Sequence, residues 1–330
     1  MNQISRLLLF FFCIPFHALA QDTTASRHMF RVYEDNDAIK LFGALSDKGY
    51  TNGTRFDYYY TRPGTPRFLP DRLMPRAGKA AVNTYGWSLM QIMYTPEDIR
   101  AAQPDVEDWP YSGALFVSHS LHSVDPVRKF NLQTEIVLGV MGRASLAEQL
   151  QKGIHKVIAS PDPQGWPYQY PTDILLNINI AAEKQLWQYR RLLDITTGAQ
   201  GMLGTMMDGA SVYAQLRIGK MLPYFDGLLQ QYVQPFRNRN KLQLYLVARP
   251  ALDWVGYNAV LEGGVFGGKS DYYKQNDAAR VNHGLSRRLD LGLVLGYGNI
   301  SLSFTQRILS KAVDGFGHQR LGNVSLYIGW

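Results

Sequence analysis

Period-two alternation of apolar and polar residues, recurring in segments of strand length up to the last residue, most constrains what this chain can fold into. Within residues 54–60 the rings of Phe56, Tyr58 and Tyr60 share one face, and within 211–218 Val212, Ala214, Leu216 and Ile218 do the same. Such a segment turns one face to an apolar surround and the other to a polar one. Strands are expected near residues 30–42, 51–61, 84–94, 111–122, 130–140 and 172–184, then near 189–200, 203–219, 241–250, 284–296, 298–309 and 320–330. Beyond residue 20 no apolar run reaches the roughly 20 residues of a membrane-spanning helix. Twelve is an even number, and a tilted membrane strand needs about 9–11 residues. The expectation is an all-β fold, a transmembrane antiparallel β-barrel of about 12 strands. A soluble β-sandwich would alternate too, but would not account for the final strand, in which Val324, Leu326, Ile328 and Trp330 share one face.

Residues 1–20 read as a signal peptide. Arg6 supplies the positive region, Leu7 to Pro15 the apolar core, and Ala18-Leu19-Ala20 a small-x-small cleavage site before Gln21. Residues 21–330 are then one barrel domain in the bacterial outer membrane. The single cysteine, Cys13, lies in that leader, so disulfides, cysteine nucleophiles and zinc-thiolate sites are excluded from the mature chain. A strand ending on an aromatic residue resembles the terminal strand that the outer-membrane assembly machinery recognises, which makes that machinery an expected partner. The formal charge is +7, with Arg62, Arg67, Arg72, Arg76 and Lys79 clustered in one loop. For an exported chain, expected to act as a monomer, this cluster reads as a solvated loop or as a contact for a phosphorylated lipid surface rather than for nucleic acid. Tyr94, Tyr111, Trp187 and Trp330 are expected in the aromatic girdles at the membrane interfaces.

With both termini periplasmic, parity places residues 43–50, 95–110, 141–171, 201–202, 251–283 and 310–319 outside the cell. One short helix is expected among them, in 143–155, where helix formers run up to Gly153 and Gln151 and His155 lie four apart on one face. Residues 220–240 fall on the periplasmic side, where turns are usually short.

Three polar groupings are candidates for chemistry at the outer mouth. Glu34-Asp35-Asn36-Asp37 gathers hard oxygens of the kind calcium prefers, or lines a polar lumen. In Gly49-Tyr50-Thr51-Asn52-Gly53 the Thr51 hydroxyl could donate to an oxyanion, while Asn52-Gly53 reads equally as turn chemistry. Gln151 and His155 form the third, since a neutral imidazole can take a proton from water, while the spacing alone reads equally as a loop helix whose histidine faces water.

Seven motifs in order then resemble the outer-membrane lipid A 3-O-deacylase (LpxR) family. They are Asn36-Asp37, Tyr50-Thr51-Asn52-Gly53, Gln91-Ile92-Met93-Tyr94-Thr95-Pro96, Asp108-Trp109-Pro110-Tyr111-Ser112-Gly113, Leu138-Gly139-Val140-Met141-Gly142, residues 148–155 ending in His155, and Gly165-Trp166. The resemblance implies a calcium-dependent ester hydrolase that removes the 3′ acyl chain of lipid A in lipopolysaccharide. It implies His155 as general base, Asn36 and Asp37 at the calcium site or orienting the imidazole, and Thr51 and Gln151 positioning the ester or its oxyanion. Where the family carries a lysine after the Tyr-Thr-Pro motif, the nearest basic residue here is Arg100. Where it carries an acid after the helix histidine, Ser160 and Pro161 precede Asp162. Asp162 and Asp173 are the substitutes expected for the acid that orients the imidazole, and together with Arg100 they are expected on the substrate side. The competing reading is a non-catalytic outer-membrane barrel, a narrow channel or an adhesin.

Overall fold

A computed structural model describes residues 28–37, 39, 49–233, 242–275, 283–310 and 318–330; the expected signal peptide with Cys13, its expected cleavage site and the segment 40–48 lie outside them. Twelve antiparallel strands close into a barrel in sequence order. They are β1 (His28–Asn36), β2 (Gly49–Tyr60), β3 (Val82–Thr95), β4 (Ser112–Asp125), β5 (Phe130–Met141), β6 (Asp173–Tyr189), β7 (Leu193–Gly204), β8 (Met207–Lys220), β9 (Leu242–Asn258), β10 (Leu285–Tyr297), β11 (Ile300–Leu309) and β12 (Gln319–Gly329). Among the described residues no helix is long and apolar enough to cross a membrane. The ring closes where β12 pairs with β1, from Met29 opposite Gly329 to Asn36 opposite Gly322.

Every expected strand is present, with shifted ends. The first stops at Asn36 instead of 42, the sixth runs on to Tyr189, and the ninth extends to Asn258, eight residues past the expected 250. The outer connection expected at 201–202 therefore falls at 205–206, and the one expected at 251–283 begins at 259. In β6 the alternation breaks at a register shift between Gln185 and Trp187, where Leu186 and Trp187 are both exposed, so period two there no longer separates lipid from lumen.

The inward face is polar and filled by ion pairs. Arg31 donates to Asp57 at 2.7 Å, and Arg55 to Asp57 at 2.7 Å and to Glu135 at 2.9 Å. Arg288 pairs with Asp253 at 2.8 Å and Arg307 with Asp290 at 3.0 Å. In a low-dielectric lumen such charges persist only when paired. Between them lies a cavity of about 290 Å³ bordered by Arg31, Arg55, His122, Glu183 and Arg249.

Outer-membrane barrels keep their short turns at the periplasmic end, yet two connections at the end shared by the termini are long. Both fold back onto the barrel. Residues 61–81, with helix α1 (Leu69–Leu73), lie against the outer face. Residues 221–233 enter the lumen, where Phe225, Leu229 and Val233 are buried. The Tyr232 ring stacks on Tyr327 with centroids 3.9 Å apart, and Gly329 makes room for Val233, whose Cγ1 would lie 2.4 Å from an added Cβ. This plug accounts for the long periplasmic stretch the sequence left unexplained. At the other mouth Tyr50, Trp109, Tyr170 and the short helix at Ala259–Glu262 form the largest apolar cluster. Both mouths being filled, the intact chain should show no steady conductance in planar bilayers. Replacing residues 221–241 with a tight turn should open one, and an equally silent variant would show that the plug is not the seal.

Candidate active site

Register decides which residues share the outer face. Cross-strand partners point the same way, so exposed Phe56 and Leu89, which are paired, mark the lipid-facing stripe, continued by Leu89 opposite Val117. Followed towards the outer rim, this stripe turns polar. Glu34 lies opposite Thr54 and Asn36 opposite Asn52 on β1 and β2; Thr54 lies opposite Gln91 and Asn52 opposite Met93 on β2 and β3. Charge on a lipid-facing strand position costs about 2–4 kcal/mol at mid-membrane and less near the interface, so a polar patch at the rim calls for cover.

Cover comes from the connection between β5 and β6. Gly142, at φ 72°, turns the chain against the Pro171 carbonyl, where an added Cβ would meet oxygen at 2.4 Å. Gln91 Nε2 donates to the Ser145 carbonyl at 2.6 Å. Helix α2 (Ala147–Ile158) then seats on the outer face of β3 and β4, where Gly113 lacks the Cβ that would strike Ala147 at 2.4 Å. Met93, Tyr111, Ala147 and Trp166 are buried together beneath it. Tyr94 and Tyr111 thus belong to packed clusters instead of the interfacial girdle, whereas Trp187 and Trp330 are exposed at the periplasmic end. Burial pushes the Tyr111 phenol up to about 12, and it donates to the Ile99 carbonyl at 3.3 Å.

The helix carries Gln151 and His155 on its buried face. Beyond it Ala159 adopts a left-handed conformation, φ 56°, which brings the Pro161 carbonyl to 2.5 Å from His155 Nδ1. A carbonyl only accepts, so the neutral imidazole carries its proton on Nδ1 and presents the Nε2 lone pair. Gln151 Oε1 accepts from the Trp166 indole N–H at 2.7 Å, leaving the amide NH₂ as the donor available to a ligand. Asp162 is exposed and accepts from Gln164. Asp173 is buried and accepts the backbone N–H groups of Ile174, Phe266 and Gly267 at 2.7–2.8 Å. Neither carboxylate has the imidazole among these partners; the orienting acceptor is a backbone carbonyl, which no side-chain motif could reveal.

On β2 a bulge between Tyr50 and Asn52 makes Thr51 the extra residue, its hydroxyl 2.7 Å from that of Thr95 on β3. Asn36 is half-buried, and Asp37, 1% exposed, follows it in the turn leaving β1. One group of predicted residues thus stands on β1 and β2 and the other on a helix seated on β3 and β4, within two or three strand spacings, each about 4.8 Å. Arg100 is exposed; its neighbour Ile99 accepts from the Gln164 N–H at 2.8 Å, which sets Arg100 beside the chain leaving the helix.

Glu34 belongs to the first polar grouping, although the resemblance assigned it no role. Its carboxylate accepts from Asn52 Nδ2 and, at 2.7 Å, from Thr54 Oγ1, forming a covered polar group on the same stripe as Asn36. Its outward direction and its partners on β2 are set by the β1–β2 register. Glu34 is thereby engaged, and Asp35 faces the lumen, where the Tyr33 hydroxyl bonds it. Among the described residues no three acidic or imidazole side chains converge as a metal site. Asn36 and Asp37 match calcium in kind, as hard oxygens, but fall short of the six to eight oxygens it takes.

A family model described as outer membrane protein LpxR matches residues 7–330. The chain belongs to the LpxR family. Among solved structures, LpxR from Salmonella typhimurium matches with a TM-score of 0.72 at 14% identity, over 92% of this chain and 100% of that one. At that identity the likeness is one of fold, a twelve-stranded outer-membrane barrel. The β domain of the Bordetella autotransporter BrkA matches at TM-score 0.45 and 9% identity, over 93% of this chain and 100% of that one. The KdgM porin matches at 0.38 and 6%, over 92% and 99%. No curated protein matches the chain. For this LpxR-family chain, ¹⁵N spectra of the neutral His155 ring should show the proton on Nδ1; an Nε2–H tautomer would remove the base that the Pro161 contact implies.

Proposed function

We propose that this chain is a lipid A deacylase that hydrolyses the ester-linked 3′ acyl chain of lipid A in the outer leaflet. The observation that carries the reading is a polar set on the outer face of the wall, at the outer rim, beside a helix over β3 and β4 whose histidine meets the Pro161 carbonyl through Nδ1. A lumenal site would not meet a membrane lipid, whereas a rim site facing outward meets the headgroup and the first carbons of its acyl chains. A channel would need an open lumen, and the buried plug argues against that alternative.

In this mechanism His155 Nε2 takes a proton from a water molecule as the water oxygen attacks the ester carbonyl carbon. The carbonyl oxygen becomes an oxyanion, which the Gln151 NH₂ stabilises as a donor, joined by the Thr51 hydroxyl once it turns from the Gly49 carbonyl, to which it donates at 3.2 Å. Collapse of the tetrahedral intermediate breaks the bond to the sugar 3′ oxygen, which receives the proton from His155. The products are a free fatty acid and a 3′ hydroxyl. The Pro161 carbonyl holds the imidazole through both transfers, and the Trp166 indole keeps the Gln151 amide turned so that its NH₂ faces the reacting group. Arg100 meets a lipid A phosphate, where its planar guanidinium pairs with two oxygens. Calcium, when bound beside Asn36 and Asp37 with water and substrate oxygens completing its shell, would polarise the ester carbonyl.

Mass spectrometry of lipid A from cells expressing the chain is the test. Wild type should remove the 3′ acyl mass, and His155→Ala should lower the rate by about 10²–10⁴-fold with the barrel still folded. An unchanged rate would exclude His155 as the base. Trp166→Phe keeps the packing but loses the N–H, and should cost on the order of tenfold. Chelation of calcium should suppress turnover; full activity in chelator would remove the metal from the proposal and leave the base in place.

A further inference from the structure

The basic segment 61–81 takes no part in that chemistry. It joins the periplasmic ends of β2 and β3 and turns up along the outer face. Met74 packs on Tyr85 and Leu121, and the Arg62 guanidinium lies 4.5 Å above the Tyr85 ring. Asp71, fully buried in α1, accepts from Arg62 and stands 2.5 Å from His119 Nε2. Phe68 lies 5.3 Å from the His119 ring and 6.0 Å from Trp87. Tyr85, Trp87, His119 and Leu121 all face outward in one register, Tyr85 opposite Leu121 and Trp87 opposite His119.

The level of this hook follows from the same ladder. Trp87 pairs with Tyr58, and Tyr58 stacks with His28, Tyr60 and Trp330 at 5.7–6.3 Å. Stacked aromatic residues at a barrel end form the girdle at headgroup depth. The hook therefore sits at the headgroups of the periplasmic leaflet, not of the leaflet facing the medium.

Its surface has two parts. Phe68, Leu69 and Leu73 are 44%, 61% and 73% exposed, apolar groups suited to acyl chains. Arg67, Arg72, Arg76 and Lys79 are exposed, and none has an anionic partner among the described residues. The only acid in the segment, Asp71, is used internally. We propose that residues 61–81 form a binding surface for anionic glycerophospholipid in the periplasmic leaflet, with Arg67, Arg72 and Arg76 on the phosphate and Leu69 and Leu73 among the acyl chains. Arginine forks match phosphate oxygens, and basic residues at a membrane surface add their attractions.

The full mature chain, folded in micelles holding equal amounts of phosphatidylglycerol and phosphatidylcholine, is examined by native mass spectrometry. Wild type should retain phosphatidylglycerol preferentially. The triple variant Arg67→Gln, Arg72→Gln, Arg76→Gln should lose that preference by on the order of tenfold, with folding verified by heat-modifiable gel mobility. Arg190→Gln with Arg191→Gln, exposed cations on another periplasmic turn, should retain it. If the triple variant misfolds, the single variants should each lower retention in part. Equal retention of both lipids by wild type, equal loss in the Arg190 and Arg191 variant, or a loss confined to lipopolysaccharide when that replaces phosphatidylglycerol would each overturn the proposal.

Discussion

Inside a bilayer no backbone N–H or C=O can be left without a partner, and the pairing of β12 with β1 is what satisfies that demand here. Once the ring is closed, each strand residue has two possible directions, inward or outward, and the ladder sets which. The filled lumen and the apolar wall follow directly. So does the value of any exception, because a polar side chain pointing outward is costly unless something covers it.

Two such exceptions are present on one sector of wall, at opposite ends. At the outer rim Glu34, Asn36, Asn52, Thr54 and Gln91 turn outward beside a helix laid over β3 and β4. At the periplasmic end His119 turns outward and meets Asp71 on the folded-back α1. Each connection is seated by a local fit: the missing Cβ of Gly113 under α2, and the packing of Met74 on Tyr85 and Leu121 beside α1. The lumen between carries charges that neutralise one another and is stoppered at the periplasmic mouth by residues 221–233. The surfaces available to lipid are on the outside of the barrel.

The histidine is held by geometry instead of charge. A carbonyl on Nδ1 fixes the orientation of the ring and the tautomer of its neutral form. The turn that delivers it depends on Ala159 in a left-handed conformation, which costs an L-residue about 1–2 kcal/mol. Burial of α2 against the wall supplies the compensation.

All twelve strands and the helix bearing His155 were legible in the sequence, because period two and period 3.6 are written into the order of apolar residues. Gln151 and His155 on one face followed from a spacing of four. Register was not legible: a slip of one residue exchanges inside for outside, and only the closed ladder shows that Glu34 and Asn36 look outward while Asp35 looks in. The partners of Asp162 and Asp173 and the Pro161 acceptor were equally hidden, since a backbone carbonyl has no letter in the sequence. The two long periplasmic connections had a composition but no destination. Local order along the chain determined which elements form; contacts between residues far apart in it, Asp71 with His119 and Val233 with Gly329, decided where the connections lie and so which surfaces face lipid.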